Sequence, residues 1–135
     1  MRAHGAIALL VLLAACHDGS SPTEPLAATT IDHGRLSGVV TIGPNCPVET
    51  SSPCVTPPGA YELRKVLVFN EAGTTLLHTV DIDSQGAYLI DLAPAKYTVD
   101  VRKAGIDRAS GVPAVVEIKA NVVTKLDISI DTGLR

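Results

Sequence analysis

Between Gly34 and Asp131 the chain repeats one pattern, and that pattern decides the fold class. Short runs rich in Val, Ile, Leu and Thr alternate with clusters of Gly, Pro, Asn, Asp and Ser. The runs read LSGVVTI (36–42), LRKVLVF (63–69), TTLLHTV (74–80), AYLIDL (87–92), KYTVDVR (96–102), AVVEIK (114–119) and VTKLDISID (123–131). β-Branched side chains lose rotamer freedom in a helix but fit a pleated surface. Several runs alternate with period two. Tyr97, Val99 and Val101 share one face, as do Leu126, Ile128 and Ile130, while Lys125, Asp127 and Ser129 share the other. One apolar and one polar face imply antiparallel strands with one side in water. No stretch has a sustained helical period; 104–110 is too short and holds Gly105.

The turns agree with this. Asn70-Glu71-Ala72-Gly73 suits a hairpin loop with Gly at the left-handed position, and Asp83-Ser84-Gln85-Gly86 reads the same way for the next strand pair. About seven short strands at this spacing predict an all-β, antiparallel sandwich over residues 34–135.

The N-terminus is different in kind. MRAHGAIALLVLLAAC holds an early Arg2 and then an unbroken apolar run from Ala6 to Ala15. That run falls short of the roughly 20 residues a membrane-spanning helix needs and matches a secretory signal peptide. Leu13-Ala14-Ala15-Cys16 resembles the lipobox of bacterial lipoproteins. The resemblance implies a signal peptide at 1–15, diacylglycerol on the Cys16 thiol and acylation of the new amine. Several acyl chains on one residue make a stable anchor, because each buried CH₂ adds about 0.8 kcal/mol. His17 rather than Asp follows the cysteine, which in that family favours the outer over the inner membrane. Residues 16–33, rich in Ser, Thr, Pro and small side chains, read as a flexible tether able to reach ~55 Å when extended.

This reading resolves the cysteine count. The chain has three cysteines. With Cys16 carrying lipid in an exported chain, Cys46 and Cys54 remain as one pair, expected to form a disulfide in an oxidising compartment. They lie in GPNCPVETSSPCVTPPG, residues 43–59, where prolines suppress helix and central strand alike. A staple of this size contributes about 2.5 kcal/mol in the chain-entropy model. Loops on rigid scaffolds often carry function, so this is a candidate recognition surface.

A second resemblance covers roughly 34–131. Asp81-Ile82-Asp83-Ser84-Gln85-Gly86-Ala87-Tyr88 followed by Leu92-Ala93-Pro94-Ala95-Lys96-Tyr97-Thr98-Val99 resembles the paired signature of carboxypeptidase-regulatory-like domains, which share the transthyretin-like (prealbumin-like) sandwich. Gly38-Val39-Val40 and Leu126-Asp127-Ile128 also fit that pattern. The resemblance implies a tyrosine corner at Tyr97, its phenol bonded back to nearby backbone. Ala95 stands where the family usually has Gly, which implies a less left-handed turn.

Catalytic, metal and cofactor readings find little support. Asp81-x-Asp83-x-Gln85-Gly86 imitates the start of a calcium loop, but its twelfth position is Leu92 and no helices flank it. Cys46 and Cys54 are too far apart for a Cys-x-x-Cys motif, and a structural zinc site wants four ligands, usually in close pairs. His33 and His78 have no evident Ser and Asp partners; Asp91 and Asp100 alternate onto presumed solvent faces. The C-terminus reads DTGLR, unlike the Tyr-Arg-Gly-Ser end of the transthyretin-like hydrolases of 5-hydroxyisourate. In Cna-B type repeats an acid promotes a Lys–Asn crosslink; its counterpart here is Val101. With 11 Lys and Arg against 14 Asp and Glu, a formal net charge of −3 and no basic cluster, nucleic-acid binding has no electrostatic footprint. Three Tyr, one Phe and no Trp make a poor aromatic platform for sugar. The sequence therefore predicts a non-enzymatic, lipid-anchored envelope protein without cofactor, whose sandwich is a binding or structural accessory module with a possible protein partner. A carbohydrate-binding module is the alternative.

Overall fold

The computed structural model describes residues 32–47 and 54–134. Cys16, the expected signal peptide and nearly all of the expected tether lie outside them. Nine strands form in chain order: β1 Gly34–Gly43, β2 Lys65–Asn70, β3 Leu76–Asp81, β4 Ala87–Leu92, β5 Ala95–Val101, β6 Arg108–Ser110, β7 Ala114–Ile118, β8 Val123–Lys125 and β9 Ile128–Asp131. They make two sheets. One runs β4-β1-β9-β6 with β8 also on β1; the other runs β3-β2-β5-β7.

Period-two alternation builds the core between them. Leu36, Val40 and Ile42 of β1, Ile128 and Ile130 of β9, and Tyr88 and Leu92 of β4 face Val66 and Val68 of β2, Tyr97, Val99 and Val101 of β5, and Ile118 of β7, all buried. Each such side chain contributes roughly 1.5–3 kcal/mol over leaving it in water. The all-β sandwich and the shared faces of β5 and β9 follow the sequence reading.

Three finer features differ from it. The run 123–131 is two strands, not one. β8 pairs with Arg35–Ser37 and β9 with Val40–Gly43, both parallel to β1, so the otherwise antiparallel sandwich joins its first and last strands in parallel. The break falls at Leu126-Asp127, opposite Gly38. The Leu126 amide donates to Ser37 O at 2.9 Å. Its carbonyl tilts over Gly38 and accepts from the Tyr88 hydroxyl on the far side of β1. The Asp127 carboxylate then takes the place of a backbone acceptor for the Val39 amide, at 2.9 Å. A Cβ at position 38 would collide with the Leu126 carbonyl and sit 2.9 Å from the Tyr88 ring, so only glycine admits this crossing.

Second, the turn at 83–86 is not a hairpin within one sheet. It closes locally, with Gly86 N on Asp83 O at 3.0 Å and Asp83 N on Ala87 O at 2.9 Å, but β3 and β4 belong to different sheets. Gly86 adopts φ +84° and its bare Cα lies against Val40 O and the Tyr61 ring; a side chain would be strained there and would have no room. The 70–73 turn is a hairpin as expected, with the Asn70 carboxamide oxygen accepting from Thr74 N (2.8 Å) and Thr75 N (3.1 Å). Third, β6 lies outside the seven runs that the sequence marks as strands. Its three residues, Arg-Ala-Ser, carry no periodic signal and are held by pairing with β9.

Gly38→Ala is expected to destabilise the fold by about 1–3 kcal/mol through overpacking. Tyr88→Phe should cost a similar ~1–3 kcal/mol by depriving the part-buried Leu126 carbonyl of its donor. Because both act on one carbonyl, the double variant should cost less than the two single costs combined. Urea unfolding of the two singles and the double measures this coupling.

Candidate functional site

The candidate surface grows from the C-terminal end of β1. Ten residues at ~3.3 Å each separate the entry at Gly34 from Gly43, so the 43–64 connection leaves the sandwich at the end opposite the chain's entry. Cys46 and Cys54 are joined by a disulfide, with Cα atoms 6.1 Å apart; residues 48–53 between them lie outside the described residues. Side-chain hydrogen bonds repeat the closure. Asn45 Nδ2 donates to Ile42 O and to Thr56 Oγ1, each at 3.2 Å. The C-terminal segment ties down the base, with Thr132 Oγ1 donating to Pro44 O at 2.6 Å and Thr132 N to Gly43 O at 3.1 Å.

From Pro57 the chain winds through consecutive turns, with Ala60 N on Pro57 O, Glu62 N on Gly59 O and Arg64 N on Tyr61 O, each at 3.1 Å. The strap ends on the one buried charged residue among those described, Arg64. Its guanidinium grips Asp107 with two bonds, Nε to Oδ2 at 2.7 Å and Nη2 to Oδ1 at 2.9 Å, and Nη1 donates to Ala60 O at 2.6 Å. Asp107 also accepts from the Ala104 amide at 3.0 Å. Both side chains are under a tenth exposed. The Arg64 hydrogen bond holds the Asp107 carboxyl below its ordinary range, against the opposing effect of burial. Between the strap and the 82–84 turn lies a hollow of about 430 Å³, lined by Thr56, Pro57, Tyr61, Glu62, Ile82 and Ser84. A more open groove of about 600 Å³ lies along β1 and β4, with Val39, Leu89, Asp83 and Lys125 on its walls.

The residues weighed for chemistry are in structural employment or apart. Asp83 Oδ1 accepts from the Gln85 and Ala87 amides, both at 2.8 Å, so the calcium-like spacing is that of a turn capped by its own carboxylate. Asp81 pairs with Lys65 at 2.6 Å. Asp91, on the exposed face of β4, is gripped by Arg35 at 2.7 and 3.1 Å, which lowers its pKa through hydrogen bond and charge. Asp100 is half-buried on β5, not beside Asp91 but in the other sheet. His33 precedes β1 and His78 lies on β3; both are exposed. Among the described residues no three His, Cys, Asp or Glu cluster as metal ligands would.

Two of the three tyrosines are committed inward, while Tyr61 is half-buried and lines the hollow beside the strap. Tyr97 is 8% exposed and donates to Ala93 O at 2.9 Å, the corner expected; Ala95 next to it starts β5 without a left-handed φ. Tyr88 is 4% exposed, and burial with the nearby Asp127 charge pushes its pKa up to about 12. Neither ring is available to stack on a sugar. The strap's ion pair is what sequence reasoning missed: 43 residues separate its partners, and no local period marks them.

No protein-family model matches the chain, and no curated protein matches it. Among solved structures it is similar to GBS52, the minor pilin of Streptococcus agalactiae, at 14% identity and a TM-score of 0.49 over 74% of this chain and 44% of that one. It is also similar to a DUF3823 family protein from Parabacteroides merdae, at 14% identity and a TM-score of 0.46 over 73% of this chain and 45% of that one. BcpA, the major pilin subunit of Bacillus cereus, matches at 14% identity and a TM-score of 0.42 over 73% of this chain and 28% of that one. The chain spans under half the length of each.

Asp107→Asn leaves Arg64 buried without its counter-charge and is expected to cost about 3–5 kcal/mol at neutral pH. Because the folded pKa of Asp107 is depressed, its contribution is full above the unfolded carboxylate value of 3.8 and is lost as pH falls through the folded value. The gap between wild type and variant should therefore close on acidification below pH ~4, as read by denaturant unfolding across pH.

Proposed function

We propose that this chain is a lipid-anchored protein of the bacterial cell envelope, held through Cys16, whose sandwich serves as a non-enzymatic binding or structural accessory module. The observation that carries the reading is the Cys46–Cys54 disulfide. Persistent disulfides belong to oxidising compartments, and the apolar run ending in Leu13-Ala14-Ala15-Cys16 supplies both the export signal and the third cysteine's separate fate. The fold's polarity supports the same reading. Chain entry and the start of the stapled connection lie at opposite ends of β1, so an anchor before Gly34 attaches at the end far from the strap and leaves it accessible. The non-enzymatic part is supported by the employment of Asp83, Asp91, Asp107, Tyr88 and Tyr97 in turns, ion pairs and corners. The outer membrane is the favoured location, on the identity of residue 17, and the partner class is a protein met by the strap and stapled loop.

Cys16→Ser is expected to move the protein from the membrane to the soluble fraction, and the wild-type N-terminal peptide should carry a diacylglyceryl-cysteine mass. An unmodified chain starting elsewhere sinks the anchor. Thiol titration of the mature protein, denatured without reductant, should find none; two titratable thiols would overturn the staple.

A further inference from the structure

Among the described residues five strands have an uncovered edge, and four are guarded. β6 and β8 are three residues long and carry Arg108 and Lys125; β7 follows Pro113 and bears Glu117; β3 is broken by a register shift opposite Val68/Phe69. Short strands, charges, prolines and bulges are the usual means of blocking edge-to-edge pairing. β4 has none of the backbone devices. It is six residues in regular register with β1, its one charge is neutralised by Arg35, and its outward Leu89 is 53% exposed.

The direction of every backbone group on β4 can be worked out. Val40 N bonds Gly86 O, so along this antiparallel ladder Tyr88, Ile90 and Leu92 spend their amides and carbonyls on β1, while the odd-numbered residues point away. The far side of β1 agrees: Arg35 N, Ser37 O and Val39 N all bond toward β8 and β9. On the outer edge of β4, Ala87 is closed by Asp83 at both its amide and its carbonyl. Leu89 and Asp91 therefore present donors and acceptors to an edge that no strand among the described residues covers.

We propose that this edge pairs antiparallel with β4 of a second copy, about a two-fold axis at Ile90. In that register Leu89 lies opposite Asp91 of the other copy and exchanges both backbone hydrogen bonds with it, and the symmetry repeats the exchange, so every outward group is used. A register centred on Leu89 would leave Asp91 unpaired. Ile90, packed against the margin of the core, meets its own copy across the axis, apolar on apolar. The two Asp91 side chains become diagonal neighbours at ~7–8 Å, and each arrives already paired with its own Arg35. A second copy fits because the edge is self-complementary in its backbone hydrogen bonding. One strand pair buries less than the ~1,200 Å² of a stable interface, so the association is weak in dilute solution and strengthened where copies are concentrated on a surface. It does not depend on the lipid.

A symmetric cysteine reads the axis directly. Residues facing across a non-hydrogen-bonded antiparallel pair have Cα atoms ~4.5 Å apart, inside the ~4.4–6.8 Å that a disulfide spans. In the full-length chain, Ile90→Cys under mild copper-phenanthroline oxidation is expected to give a dimer with a 90–90 link in peptide mapping. Val115→Cys, exposed on the opposite edge, should not dimerise. Adding Leu89→Pro removes an outward donor where an edge strand tolerates proline, and should cut the link by about tenfold or more while the circular dichroism stays unchanged. A 90–90 link no stronger than that of the 115 control, one indifferent to Leu89→Pro, or a link to a different protein would each overturn the second-copy assignment.

Discussion

One carbonyl group organises the larger sheet. The Leu126 C=O lies over Gly38 and is taken by the Tyr88 hydroxyl, which ties β4, β1 and the β8–β9 segment together at a single point. Without a side chain at 38 the last strand can lean across the first. With the lean, the ladder loses a regular rung and Asp127 supplies one from its side chain. The parity of inward and outward residues survives the break, so Ile128 and Ile130 still reach the core. A sheet that joins its first and last strands in parallel closes the topology on itself: unravelling either terminus must first break the contact between them.

This arrangement explains what could be read in advance. Alternation in 96–102 and 123–131 placed Tyr97, Val99, Val101, Ile128 and Ile130 correctly, because burial on one face of a strand writes itself into consecutive residues. Turn chemistry placed Asn70–Gly73, since Asn and Gly act there through their own backbone. The sheet assignment of β3 and β4 was not legible. The same Asp-Ser-Gln-Gly turn serves a hairpin or a crossing between sheets, and only the burial of residues far away decides which. The split at Leu126-Asp127 was hidden for a related reason: its cause is a missing side chain 88 residues upstream, at Gly38.

The site divides the same way. The disulfide could be inferred from cysteine arithmetic once Cys16 was set aside as the expected lipid site. The strap could not, because its anchor is a buried ion pair between distant loops. Arg64 and Asp107 differ in kind from the exposed pairs Arg35–Asp91 and Lys65–Asp81. Surface pairs contribute about 0–1 kcal/mol and set local orientation. A buried, bidentate pair whose third guanidinium nitrogen also bonds a backbone carbonyl fixes one geometry, because any other leaves a charge without water or partner. The proline-rich connection thus has two independent restraints, a covalent one near its start and an ionic one at its end.

Those restraints bear on what the connection is for. A long loop that only had to link β1 to β2 would gain little from both, since loop length itself costs only ~0.6 kcal/mol per doubling. Holding 54–64 in one shape matters when the shape is used. A partner that meets a preformed surface does not have to order it, and each rotamer-rich side chain left free would otherwise cost about 0.5–1.5 kcal/mol on association. The strap meets this condition with turns, prolines and a buried salt bridge rather than with regular structure. Two restraints beyond what connectivity requires are what the proposed recognition role asks of the strap, and the open outer groups of β4, at Leu89 and Asp91, lie toward the other end of β1, opposite Ser37 and Arg35.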